Sequence, residues 1–389
     1  ALPGFNPREL AMDMSHEEKA LEGCERDEYE DWIALHIRRE QQWFEVLRYL
    51  MEEEPTALTA LLFDGVDKLQ HLCWRFIDPA TATSLTEPWE RRVREQCLDY
   101  FRTVDRLMAQ IVSLAGREAT VVLASDHGFG PQVRTFFVNA WLAQHGYLRW
   151  HEGEAPQRTD HALLGVGQLA KHVYQIDWQH TRAYAPMPSG NGIHIVRRDE
   201  QNPHSVPAAE YEPLRDELIA ALRAIREPHS GEPVVQAVWK REEIFEGPYV
   251  ALAPDLTLEL QDGGLVSILA SQEAVVPRPQ PTGTHAPLGI FVAAGPLLRR
   301  GVRLPELSIL DVPSLLLYSL GVPIPSSFEG DVPVEALSEG ALREQPIRIA
   351  DLPNGSVTGS PEQLEQAPVY GVEEEEEMMK RLRALGYVE

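Results

Sequence analysis

The chain has 389 residues, 43% of them apolar, which suffices for a large core and, by length alone, about two or three domains. A formal charge of -25 argues against nucleic acid as a partner, because the attraction that dominates such binding would become a repulsion. Three cysteines without C-x-x-C spacing (Cys24, Cys73, Cys97) argue against a disulfide framework and a cysteine zinc knuckle, and no apolar run approaches the roughly 18 residues of a membrane span. With no signal peptide at its start, the chain is expected to be soluble and cytoplasmic, without membrane attachment.

Residues 1 to 26 are polar, carry Pro3 and Pro7, and read as irregular. From Asp27 to Met51 the apolar residues Tyr29, Ile33, Ile37, Phe44, Leu47 and Met51 recur mostly at three to four, the period of a helix face, and Pro55 stops the pattern. Thr59 to Phe63 reads as a short buried strand, followed at once by Asp67 and His71 in an Asp-x-x-x-His spacing. A second helix is expected from Thr86, its cap, through Pro88 to Gly116, burying Val93, Cys97, Phe101, Val104, Leu107, Ile111 and Leu114. Thr120 to Ala124 then forms a strand leading to Asp126 and His127. Strand, helix, strand in this order predicts a βαβ unit whose two ligand-bearing loops leave the same edge of a parallel sheet.

From about Gly130 to Gly247 the text changes character. Short helices are expected at Phe136 to His145 and Leu163 to Gln175, short strands at 181–185 and 192–196, an amphipathic helix at Glu210 to Arg226, and a strand at Val234 to Trp239. Core text returns with the strands Pro254 to Leu260 and Gly289 to Ala294 and the helix Asp311 to Leu320. The expected division is therefore 1–131 and 248–340 as two parts of one core, 132–247 as an inserted cap that reads substrate, and 341–389 as an acidic tail. That tail has a helix candidate from Glu373 to Tyr387, with glutamates at its start and Lys380, Arg381 and Arg383 near its end.

Asp67, His71, Asp126, His127 and His285, the last in Gly283-Thr-His285 before the strand at 289–294, all lie beside apolar runs. Carboxylate and imidazole together suit zinc or manganese, whereas calcium and magnesium prefer oxygen alone. Any single histidine among the 13 is better explained by packing or the surface; the joint pattern in three loops points to a metal site.

Asp67-x-x-x-His71, Ser125-Asp-His-Gly128 and Gly283-Thr-His-Ala-Pro-x-Gly-Ile290 resemble the type I phosphodiesterase/nucleotide pyrophosphatase group of the alkaline phosphatase superfamily, in its predicted phosphohydrolase/phosphomutase branch. The resemblance runs from about residue 27 to the end. It implies an α/β fold with a doubly wound, mostly parallel sheet of the alkaline phosphatase-like type and an inserted cap. It also implies two divalent metal ions, Zn or Mn, and a small phosphorylated substrate. By motif, Asp67, His71 and His285 would bind one ion and Asp126 with His127 would contribute to the second. Arg134, just past the Asp-His loop, is placed to meet a phosphate oxygen, or is simply a surface arginine. Tyr184, Asn191 and His194 are further candidates for substrate contact. No Cys-x-Pro-x-Arg or Ser-x-Pro-x-Arg segment is present, which disfavours a sulfatase.

The family also carries an aspartate after a central strand and a Thr or Ser nucleophile shortly downstream. No apolar strand followed by Asp-Gly occurs in residues 1 to 56, and Asp13-Met-Ser15-His16 is only a local mimic. The chain, which opens on Ala1, is accordingly expected to be either an incomplete form whose nucleophile lies elsewhere or a degenerate member that binds metal without turnover; a phosphomutase is a further alternative. A parallel sheet without its central strand would expose backbone edges, so a homo-oligomer, or a partner that supplies that strand, is expected.

Overall fold

The structure is a computed structural model that describes residues 24–151, 175–187, 190–198 and 204–351, together with Leu10 and Lys19. The helices expected from Leu163 and from Glu373 fall outside the described residues, as does Asp13-Met-Ser15-His16.

Three helices build the first core: α1 (Tyr29–Glu53), α2 (Gly65–Ile77) and α3 (Pro88–Ala115). Their apolar faces meet in a cluster that includes Ile33, Leu69, Phe76, Val93 and Tyr100, with Cys73 and Cys97 fully enclosed as small core residues. Burying an aliphatic or aromatic side chain of this size contributes roughly 1.5–3 kcal/mol. Glu87, rather than the expected Thr86, occupies the cap position of α3. The Glu90 carboxylate accepts the Thr86 and Glu87 N–H groups at 3.1 Å each, and Pro88 fits the first turn, where no amide donor is needed. Gly116 closes this helix with a φ of 79°, a left-handed conformation open to glycine.

The start of α2 is fixed by a buried acid. Glu40 of α1 accepts the Gly65 N–H at 2.9 Å and the Tyr100 hydroxyl at 2.8 Å. Gly65 leaves room for this, since a β-carbon there would press on both groups. Burial pushes the Glu40 carboxyl above its ordinary range despite those two donors.

The strand expected at Thr59 to Phe63 is not formed. The segment belongs to no ladder; Leu62 is 76% exposed, and only Phe63 leans on the helical core. An apolar run becomes a strand only where a neighbouring strand takes its amide and carbonyl groups, and among the described residues no strand does so here; the Phe63 carbonyl instead accepts the Val66 N–H at 3.4 Å. The βαβ unit read from the sequence is thus absent from the observed ladders. β1 (Val121–Ala124) pairs antiparallel with β8 (Phe291–Ala294), placing Val121 opposite Ala294.

A long antiparallel pair went unpredicted: β2 (Gly128–Phe136) with β7 (Val275–Ala286). Beyond it, α4 (Val138–Gln144), β3 (Ala183–Tyr184), β4 (Gly192–Ile195), α5 (Ala208–Arg223), β5 (Val235–Lys240) and β6 (Leu256–Leu260) form a second core. Its sheet has the order β3-β4-β6-β5 and is antiparallel throughout. Leu214, Leu218 and Leu222 of α5 pack on this sheet, and β6, expected as a return to the first core, lies within it. A third, smaller core gathers Leu315 and Tyr318 of α6 (Asp311–Ser319) around Leu298, Ile324 and Leu337. The fold is mixed α and β with small sheets. Among the described residues, the only strand ladder that runs parallel is the two-residue pairing of β9 (Ile324–Pro325) with β10 (Ile349–Ala350). No helix among the described residues is long and apolar enough to cross a membrane.

Two consequences can be measured. Because the folded-state carboxyl of Glu40 is raised, its ionisation costs stability once pH rises through the ordinary carboxylate range. Glu40→Gln, which keeps an acceptor oxygen, should melt higher than wild type at pH 8, with the difference closing toward pH 4; an unchanged gap at both pH values would contradict this. Gly283 of β7 lies where α2 crosses the strand, and a β-carbon there would collide with the Gln70 carbonyl oxygen. Gly283→Ala should therefore destabilise the fold by about 1–3 kcal/mol in denaturant titration.

Candidate metal centre

Helical spacing places Asp67 and His71 on one face of α2, four residues and about one turn apart. Asp67 sits in the first turn, where the helix dipole favours a carboxylate. The other side comes from the β2–β7 ladder. His127 precedes β2, and in the antiparallel register Phe129 stands directly opposite His285. Glycines allow the close approaches: a β-carbon at Gly283 would strike Gln70, one at Gly128 would strike the Leu288 carbonyl, and one at Gly289 would strike Ser125 Oγ. Ser125 completes the join, its N–H donating to the Ile290 carbonyl at 3.0 Å and its Oγ accepting the Ile290 N–H at 2.8 Å.

These contacts gather four side chains. Asp67 Oδ1 lies 3.3 Å from His285 Nε2, 3.6 Å from His71 Nε2 and 3.6 Å from His127 Nε2. His71 Nε2 and His285 Nε2 are 2.9 Å apart, and the His127 and His285 rings stack with centroids 3.6 Å apart. One donor atom each from Asp67, His127 and His285 falls within 4.8 Å of the others. Asp67 Oδ1 is buried, yet none of its own contacts with the three imidazoles has hydrogen-bond geometry. A buried carboxylate oxygen facing three imidazoles without a directed bond is an orphan that a cation would satisfy.

Protonation states agree with ligation. Burial works against the charge of Asp67, but the His285 contact and the neighbouring imidazoles outweigh it and hold the carboxyl below its ordinary value. Burial lowers the His71 imidazole, so the ring is neutral near pH 7. Its Nδ1 faces the Gly283 carbonyl at 3.1 Å; a carbonyl only accepts, so Nδ1 carries the proton and Nε2 keeps its lone pair toward Asp67 and His285. His127 Nδ1 makes the same kind of contact with the Gly128 carbonyl at 3.1 Å.

The structure thus brings Asp67, His71, His127 and His285 together, with His127 beside the first three rather than apart from them. Asp126 is at the rim, its side chain 84% exposed and its Oδ1 3.7 Å from His127 Nε2. Arg134, expected near a phosphate, is instead ion-paired with Asp262 at 2.7 Å and Glu232 at 2.9 Å, so its charge is already matched. Phe129 was not anticipated. Its ring stands 4.9 Å from His71, 5.4 Å from His127 and 5.3 Å from His285 by centroid, with Trp74 stacked on it at 6.4 Å. Only the register of β2 against β7 reveals that role. Tyr184 and His194 lie away from the cluster, in a cavity of about 460 Å³ lined also by Trp178, Arg241 and Asp255.

The donor set, one carboxylate oxygen and three imidazole nitrogens, suits zinc or manganese. Donor atoms about 2.1 Å from a tetrahedral ion lie roughly 3.4 Å from each other, close to the separations found here. A search of curated proteins returns no match to the chain. The family model for type I phosphodiesterase / nucleotide pyrophosphatase matches residues 4–288, a stretch that contains all five candidate ligands. With its matched length well over half of the sequence, the chain belongs to the type I phosphodiesterase / nucleotide pyrophosphatase family.

Proposed function

We propose that this chain is a metal-dependent phosphoric ester hydrolase of the phosphodiesterase kind, in which Asp67, His71 and His285 hold one divalent ion and Asp126 with His127 contributes to a second. The observation that carries the reading is the buried, unbonded Asp67 Oδ1 facing three imidazoles. Family membership supports a hydrolase of phosphate esters in general. His127 Nε2 stands 3.6 Å from Asp67 and 3.7 Å from Asp126, between the two carboxylates, where its single lone pair can serve one ion. Bound zinc or manganese would supply Lewis acidity to a phosphoryl oxygen, and a pair of such ions would steady the entering and leaving oxygens together. The chain's own residues set the site: His71 is kept neutral with its Nε2 turned toward Asp67 and His285, Asp67 is kept charged, and Phe129 and Trp74 form an apolar wall beside the rings. The cap between 132 and 247 is the side from which a small phosphorylated substrate would be read.

One observation favours a second reading, metal binding without turnover. The hydroxyls nearest the ligands in sequence are engaged elsewhere, Ser125 by the Ile290 amide at 2.8 Å and Thr284 buried beneath Gly264. In the full reading a nucleophile reaches the ions from outside these loops. The unpaired segment 57–63, with Leu62 76% exposed and Val292 60% exposed on the β1–β8 pair, supports completion of an alkaline phosphatase-like sheet by a further strand, from a partner or a second copy. Light scattering of the purified chain tests this: a strictly monomeric species that is fully stable would oppose it.

Three outcomes test the site. Metal analysis of purified protein should find about two equivalents of zinc or manganese, as a two-ion site requires. His285→Ala should lower metal affinity beyond the roughly 10–100-fold that loss of an outer-shell partner costs, and should lower cleavage of bis(nitrophenyl) phosphate with it; full occupancy in the variant would remove His285 from the site. Since burial holds the His71 imidazole below its ordinary value of about 6.5, acid should release metal with a midpoint below that value. Metal uptake by wild type with no turnover of mono- or diesters would select the second reading.

A further inference from the structure

We propose that Asn191, in the cap, is a positioning residue for His285, an inference that rests on the metal reading above. Asn191 has a φ of 45° and is the single non-glycine residue with positive φ among the described residues. Such a conformation is strained for a residue with a side chain, and it persists where surrounding contacts enforce it. Here the contacts are specific. The Asn191 Nδ2 donates to the Gly264 carbonyl at 2.7 Å, its Oδ1 accepts the Val266 N–H at 2.9 Å, and its own carbonyl accepts the Leu258 N–H at 2.9 Å. The side-chain amide therefore grips both ends of the segment Gly264-Leu265-Val266.

That segment supports the metal-facing strand. The Gly264 N–H donates to the His285 carbonyl at 2.9 Å. Gly263 and Gly264 have φ of 70° and 80°, and both lie so close to β7 that a β-carbon on Gly263 would stand 2.9 Å from the His285 carbonyl oxygen and one on Gly264 would collide with Thr284. From the other side Asp262 is tied to Arg134 of β2 at 2.7 Å. The turn 262–264 is thus pressed on the Thr284 side chain and the His285 backbone, held by Arg134 at one end and by Asn191 at the other. The His285 ring can keep its 3.3 Å approach to Asp67 only while this backbone is fixed. Asn191 touches neither substrate nor metal; it acts through the turn.

Asn191→Gly separates the clamp from the backbone conformation, because glycine keeps a positive φ without strain and removes only the amide. Expected are a roughly 10–100-fold loss of zinc affinity, the range for outer-shell partners, and faster hydrogen exchange in metal-free protein over 263–266 and 284–286. Asn191→Asp, which retains the acceptor for the Val266 amide but loses the donor to Gly264, should fall between the two. Asn139→Ala is the structural control. Asn139 is fully buried and its amide bridges Ala185 and Ile268, so this variant should lose stability while keeping zinc affinity. Wild-type affinity and exchange in Asn191→Gly would overturn the proposal, as would an equal loss of affinity in Asn139→Ala. If wild type binds no zinc, the metal reading fails by itself. The clamp is then decided by exchange alone: faster exchange at 284–286 in Asn191→Gly upholds it, and unchanged exchange there overturns it.

Discussion

The antiparallel pairing of β2 with β7 is the constraint on which the site depends. It sets Phe129 opposite His285, carries His127 to the end of the same ladder, and leaves Gly283 bare where α2 crosses. A slip of one residue would turn His285 to the opposite face of the strand. The ladder is in turn held by contacts that look incidental one at a time: the Ser125–Ile290 pair beyond one end, the Arg134–Asp262 ion pair across the middle, and the 262–264 turn behind. Each glycine in the two motifs marks a place where backbone meets backbone or a side chain of the facing element, which gives the motif spacing a steric reason.

Much of this was legible in the chain itself. The periodicity of α1 and α3 located those helices to within a few residues, and the Asp-x-x-x-His spacing put two side chains on one helical face. What the sequence could not show was pairing. Pro277, Pro279 and Pro281 argue against a strand, yet alternate positions on an edge strand can each lack an amide donor without breaking the ladder on the other side, and among the described residues β7 pairs only with β2. Conversely, Leu61, Leu62 and Phe63 read as a strand because composition reports apolarity, not the presence of a neighbour. Arg134 shows the same limit: its place after the Asp-His loop suggested an anion, whereas the fold brings Asp262 and Glu232 to it from 128 and 98 residues away.

The electrostatic character of the chain fits this picture. With a formal charge of -25, an anionic phosphate ester would be repelled at long range, so any site for it needs a local source of positive charge. Among the described residues, no ion pair joins a lysine or arginine to Asp67, and Arg134 is matched by Asp262 and Glu232. The ionised Asp67 carboxylate beside the neutral His71 ring attracts cations rather than anions. Divalent ions held there would reverse the local field, which joins the acidic composition, the donor set and the family membership in one physical account.

The most direct test is an anomalous-difference map from crystals soaked in zinc or manganese. The account predicts a peak about 2.0–2.2 Å from Asp67 and from the Nε2 atoms of His71 and His285, with further density between His127 and Asp126. A cluster that stays empty under those conditions, its Asp67 carboxylate hydrogen-bonded to a protonated histidine, would contradict it.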